Sequence, residues 1–119
     1  MQAVALAILL VEDDPLIRLN TAELLEDLGH RVTEADNACD AMKALGAGPV
    51  DVIITDLGLP GVSGADFAVM ARKARPDVAI VFATGAEPGP DLIGKNEASY
   101  LLRKPFGAAD LAAALQAVC

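Results

Sequence analysis

At 119 residues, with 54% apolar side chains and a mean hydropathy of +0.43, the chain is long enough to bury a core and too apolar for disorder, so one folded domain over 1–119 is expected. Nine Lys and Arg against 17 Asp and Glu give a formal charge of −8, which argues against binding a phosphate backbone and favours cations or basic partner surfaces. Aromatics at 3% are too few for a base-stacking platform, and two cysteines, Cys39 and Cys119, are too few for a disulfide scaffold or a zinc site.

The opening MQAVALAILLVEDD lacks the basic start and cleavage site of a signal peptide, is too short to span a bilayer, and runs straight into acids. It reads as a first buried strand, 3–11, of a cytoplasmic protein without membrane or nucleic-acid partners. PLIRLNTAELLEDLG (15–29) sets Leu16, Leu24, Leu25 and Leu28 at helical spacings, with Asp14 as N-cap before Pro15. RVTEA (31–35) is a short strand, and the Ala-rich 37–48 a helix that Asn37 and Asp40 can cap and Gly48 ends.

VDVIIT (50–55) is a strand of stiff β-branched residues. It stops at Asp56, and Gly58, Pro60 and Gly61 then suit a turn. Ser63 and Asp66 resemble a capping box for a helix over 64–75, which Pro76 stops. Segment 77–84 is a strand, 99–103 another and 107–118 a helix. Between them Pro88, Gly89, Pro90 and Gly94 disfavour helix, so any helix over 86–96 should be short and frayed. The chain ends one residue past the last helix, so no output domain is expected.

Strands alternating with helices over short joints predict an α/β fold, a flavodoxin-like doubly wound five-stranded parallel sheet in the order 2-1-3-4-5 with helices on both faces. All strands of such a sheet end on one edge, where ligands bind. Glu12 and Asp13 follow strand 1, Asp56 strand 3, Thr84 strand 4 and Lys104 strand 5. Neighbouring strands lie about 4.8 Å apart, so these groups can converge within roughly 10 Å. Two carboxylates about 4 Å apart repel by roughly 4 kcal/mol at an effective dielectric near 20; three must take up protons or hold a cation. Hard oxygen ligands in an open, part-hydrated site suit Mg²⁺. Lys104 brings a point charge for a phosphoryl oxygen, Thr84 a hydroxyl donor, and Gly58 close backbone approach. On the central strand, Asp56 is the best-placed nucleophile for attack on phosphorus.

With ILLVEDDPLIR, VDVIITDLGLPGVSG, VAIVFATG and LLRKPF, the chain resembles the receiver domain of bacterial response regulators over essentially its full length. The resemblance implies that Asp56 accepts a phosphoryl group from a histidine kinase or histidine phosphotransfer protein. It implies Mg²⁺ on Asp13, Asp56 and the Gly58 carbonyl, with Glu12 acting largely through metal-bound water. Thr84 and Lys104 would contact the phosphoryl group and report it to the surface made by 86–96, 99–103 and 107–118. A cis Lys104–Pro105 bond is also implied.

Three departures stand out. Glu12 replaces the commoner Asp, and the Thr84–Lys104 stretch is short and rich in Pro and Gly. Leu101 occupies the usual switch-aromatic position three residues before the lysine, with Tyr100 one residue too early. Either a bulge restores Tyr100, or signalling proceeds without an aromatic rotamer change.

The rival functions are a pseudo-receiver binding module without chemistry and an aspartate-nucleophile phosphatase. The latter resembles the haloacid dehalogenase family, which needs a second Asp where this chain has Gly58. A signalling switch rather than a turnover enzyme is therefore expected. The plainer expectations are Asp14 as a cap, His30 in a turn, Tyr100 as core or switch, Arg103 as a surface charge and Cys39 packed or half-buried on its helix.

Overall fold

The computed structural model describes residues 5–59, 61–84, 99–104 and 106–118. The strands are β1 (Ala7–Val11), β2 (Arg31–Ala35), β3 (Val52–Asp56), β4 (Ala79–Thr84) and β5 (Ser99–Arg103). The helices are α1 (Pro15–Asp27), α2 (Ala38–Ala47), α3 (Gly64–Ala74) and α4 (Ala108–Val118). The strands form one parallel sheet in the order β2-β1-β3-β4-β5.

Alternation along β1 and β3 builds two cores. Leu9, Val11 and Ile53 join Phe67, Ile80 and Phe82 on the side of α2 and α3. Ile8, Leu10, Val52 and Ile54 join Leu25, Leu111 and Leu115 on the side of α1 and α4. Both faces being covered, these strands read as continuous apolar runs. Among the described residues no helix is long and apolar enough to cross a membrane.

Caps set the helix starts. The Asp14 carboxylate accepts from the N–H groups of Leu16 and Ile17 at 2.9 and 3.2 Å, Asn37 Oδ1 from Asp40 N–H at 2.8 Å, and Ser63 Oγ from Asp66 N–H at 3.1 Å. Leu28 is the C-cap of α1, and Gly29 turns the chain with φ +97°, a conformation glycine adopts without strain. Arg75 closes α2 from a distance: its Nη2 donates to the carbonyls of Leu45 and Gly48 at 2.6 and 2.7 Å.

Several expectations need correction. Residues 5 and 6 lie outside β1, which begins at Ala7, while residues 3 and 4 of the expected strand lie outside the described residues. At this end Leu6 N–H donates to His30 Nδ1 at 3.1 Å and Ala7 N–H to Asp51 Oδ2 at 2.8 Å, so side chains take these two N–H groups. Leu16 is not a core residue. It is 73% exposed, because the buried face of α1 is Thr21, Ala22 and Leu25. Cys39 is exposed rather than packed, lying beside the buried stripe of Ala38, Ala41 and Leu45.

The β4–β5 ladder pairs one to one from Ile80↔Ser99 to Thr84↔Arg103. No bulge interrupts it, so Leu101 keeps its position three residues before Lys104. The expectations for 86–96, Cys119 and the Lys104–Pro105 bond lie outside the described residues.

Candidate functional site

The carboxyl edge of the sheet gathers the acids. Glu12 follows the last residue of β1, and its N–H still pairs with Ala35 O at 3.0 Å. The loop then turns at once into α1. Asp56 is the last residue of β3, paired with Ala83, and Leu57 N–H continues the pattern onto Ala83 O at 3.2 Å. Thr84 ends β4 on the same edge, and Lys104 follows β5.

One carboxylate oxygen from each of Glu12, Asp13 and Asp56 lies within 4.8 Å of the other two. Lys104 Nζ donates to Glu12 Oε1 at 2.7 Å and stands 3.5 Å from Asp56 Oδ1. Asp14 N–H donates to Glu12 Oε2 at 3.2 Å, and Gly58 N–H to Asp56 Oδ1 at 3.3 Å. Burial is graded: Glu12 is buried, Asp56 half-buried and Asp13 exposed, so the cluster opens on the Asp13 side.

Three carboxylates face one ammonium, leaving negative charge in excess. Hard oxygen donors of this kind, open to water on one side, fit a Mg²⁺ ion held by one or two carboxylates. Burial pushes the Glu12 carboxyl above its usual value near 4.5. The hydrogen bonds from Lys104 and the Asp14 N–H oppose that rise, and the Asp56 charge adds to it. Burial works against the Lys104 charge, but the Glu12 hydrogen bond and the charges of Glu12 and Asp56 outweigh it. Its pKa lies above the usual 10.5.

A carboxyl whose pKa is raised by folding stabilises the fold only while protonated, below its unfolded value. That contribution is lost as pH rises through the folded pKa, so ionised Glu12 costs the metal-free protein stability at neutral pH. Glu12→Gln is therefore expected to raise the metal-free Tm at pH 7 by a few degrees, converging on wild type below pH 4.5. Thermal melts across pH check this; an unchanged or lower Tm at pH 7 would show that the Lys104 ion pair outweighs the burial. Lys104 has the opposite alkaline signature. Its contribution is present below 10.5 and fades only as pH rises through its higher folded value.

The edge thus brings together Glu12, Asp13, Asp56 and Lys104, with Thr84 placed there by its strand position. Asp14 is a cap and lies outside the carboxylate cluster. His30 precedes β2, at the opposite edge of the sheet from Asp56. At Gly58, whose N–H donates to Asp56 Oδ1 at 3.3 Å, a β-carbon would meet no protein atom within 4 Å. Close backbone approach occurs at Gly64. A β-carbon on Gly64 would strike the carbonyl oxygen of Asp56 and stand 2.8 Å from Leu57 Cα. The signal in the sequence was a glycine inside the first turn of a helix, where alanine is the better helix former.

Arg18 was also missed, as nothing in its spacing singles it out. Its Nη1 donates to Glu12 O at 2.8 Å while its Nε lies 3.3 Å from Glu34 Oε1. Beside the cluster, a groove of about 200 Å³ is lined by Ile17, Asn20, Thr21, Leu24, Lys104 and Phe106.

The family model for the response regulator receiver domain matches residues 8–116. The chain is 36% identical over 107 residues to the response regulator receiver protein CpdR of Brucella abortus (strain 2308), covering 87% of this chain and 88% of that protein. It is 32% identical over 112 residues to the sensor kinase CckA of the same organism, covering 88% of this chain and 12% of the kinase. Among solved structures, the chemotaxis protein CheY4 of Vibrio cholerae, crystallised at low pH, superposes with a TM-score of 0.87. It is 27% identical, over 98% of this chain and 100% of that one. A match spanning nearly the whole chain, on a parallel sheet whose carboxyl edge carries the acids and the lysine, places the protein in the response regulator receiver domain family of two-component signalling.

Proposed function

We propose that the chain is one receiver domain over 1–119 that acts as a phospho-accepting switch. Asp56 takes a phosphoryl group from a phosphohistidine on a histidine kinase or histidine phosphotransfer protein. The observation that carries this reading is the position of the Asp56 carboxylate: at the end of the central strand, 3.5 Å from Lys104 Nζ and clustered with Glu12 and Asp13.

In the reaction an Asp56 oxygen attacks phosphorus, the P–N bond to the donor histidine breaks, and its electron pair stays on the imidazole. Asp13, Asp56 and the Gly58 carbonyl would hold Mg²⁺, with Glu12 acting through water; when bound, the ion neutralises charge on the transferring group. Lys104 answers to two acids now. Moving its ammonium from Glu12 towards a phosphoryl oxygen on Asp56 exchanges one charge-assisted hydrogen bond for another. Thr84 supplies a hydroxyl donor from the end of β4. Such partner exchange biases two states of the edge, as a switch requires. The unbroken β5 register supports signalling without an aromatic at the position three before the lysine. A protein donor has to reach Asp56 from solvent, and the exposed Leu16 and Leu19 on α1, with the groove beside Lys104, offer apolar surface next to that approach. This reading makes the protein a cytoplasmic signalling component and not a turnover enzyme.

Incubation of the purified chain with acetyl phosphate, followed by intact-mass analysis, tests the proposal. One phosphoryl group per chain is expected, present with Mg²⁺ and lost on chelation. No uptake under either condition means a pseudo-receiver. Sustained hydrolysis of phosphate esters means an aspartate-nucleophile phosphatase.

A further inference from the structure

The loop that carries Glu12 and Asp13 is tied at both ends by backbone bonds, Glu12 N–H to Ala35 O at 3.0 Å and Arg18 N–H to Asp14 O at 2.9 Å. Between these ties the Glu12 carbonyl accepts from the Arg18 guanidinium at 2.8 Å. The same guanidinium reaches Glu34 on β2, 3.3 Å from its Oε1. One planar fork therefore clamps three elements: α1, the acidic loop and the edge strand. A lysine, being a point charge on a flexible stem, cannot hold both partners in that geometry.

We infer that Arg18 is a positioning residue for the acidic cluster, fixing the Glu12–Asp13 backbone so that their carboxylates face Asp56 and bind Mg²⁺. The inference rests on the reading of the cluster as a Mg²⁺ site. Metal ligands depend on groups behind them for orientation, and loss of such a group typically weakens metal binding ten- to a hundredfold.

The sign of the effect separates positioning from bulk electrostatics. Arg18 is a positive charge beside a cation site. If it acted only through its charge, its removal would tighten Mg²⁺ binding, and lysine in its place would preserve the wild-type value. If it positions the loop, Arg18→Ala and Arg18→Lys both weaken binding.

Calorimetric titration with MgCl₂, alongside metal-free melts, provides the test on the full chain. The expected result is about tenfold weaker Mg²⁺ binding in Arg18→Ala, a smaller loss in Arg18→Lys, and a modest loss in Glu34→Gln, which keeps an acceptor but not the charge. Equal or tighter binding in Arg18→Ala overturns the proposal, as does a lower metal-free Tm with unchanged affinity, which marks a purely structural residue. Should Arg18→Ala not fold, Arg18→Lys carries the same test, since it keeps the charge and loses only the fork: weaker binding supports the proposal and a wild-type value overturns it. Absence of Mg²⁺ binding by the wild type instead overturns the reading of the cluster, and this inference with it.

Discussion

Asp56→Asn is expected to take up no phosphoryl group from acetyl phosphate while remaining folded. The amide has nearly the same shape as the carboxylate, so packing at the end of β3 is preserved. It lacks the charge and the nucleophilic oxygen that the reaction needs. Lys104 keeps its 2.7 Å hydrogen bond to Glu12, so the ammonium is not stranded. One negative charge leaves a cluster in which three acids already crowd within 4.8 Å. The fold therefore has no reason to weaken. Intact-mass analysis of the variant beside wild type, with circular dichroism as the folding control, provides the measurement. Labelling equal to wild type would move the nucleophile elsewhere, with the exposed Asp13 as the nearest alternative.

Gly64→Ala is expected to be the most damaging single-methyl change in the described site. Inside a helix, alanine is ordinarily better than glycine by roughly 0.5–1 kcal/mol. Here the sign reverses. The added carbon would strike the Asp56 carbonyl oxygen and stand 2.8 Å from Leu57 Cα and 2.9 Å from Asp56 C. All three are backbone atoms, so no side-chain rotation relieves them. Either α3 retreats from β3 and breaks the Gly64 N–H to Leu57 O bond of 2.9 Å, or the end of β3 moves and carries Asp56 with it. Overpacking of this kind costs about 3 kcal/mol, which at this chain length lowers Tm by roughly 10 °C. Phosphoryl uptake should fall even at temperatures where the variant is folded, because the displaced backbone is that of the nucleophile. A Tm within about 2 °C of wild type would mean that the helix start is free to shift, and that Gly64 holds nothing in place.

The separate elements and the acids at their ends were legible because both follow from local rules. Apolar runs bounded by turn residues mark strands, Asp14, Asn37 and Ser63 mark helix starts, and an acid at the end of a buried run has few structural reasons to be there. Boundaries were less legible. At the start of β1, His30 and Asp51, residues distant in sequence, take the N–H groups of Leu6 and Ala7. The face of α1 was misjudged at Leu16 because leucine spacing does not reveal that Thr21 and Ala22 are the buried side.

From the order of its residues alone, this chain determines that strands alternate with helices, and that five chemical groups, at Glu12, Asp13, Asp56, Thr84 and Lys104, fall at strand ends. Parallel pairing then requires those ends to share an edge. Tertiary structure alone decides the partnerships: Lys104 on Glu12 across 92 positions, Arg18 on the Glu12 carbonyl, Arg75 on the end of α2, and the methyl-sized gap that Gly64 leaves for Asp56. The reason is one of range. Propensity, caps and periodicity act within a turn or two of the chain, whereas a hydrogen bond or a steric contact a few ångströms long depends on how separate elements are stacked.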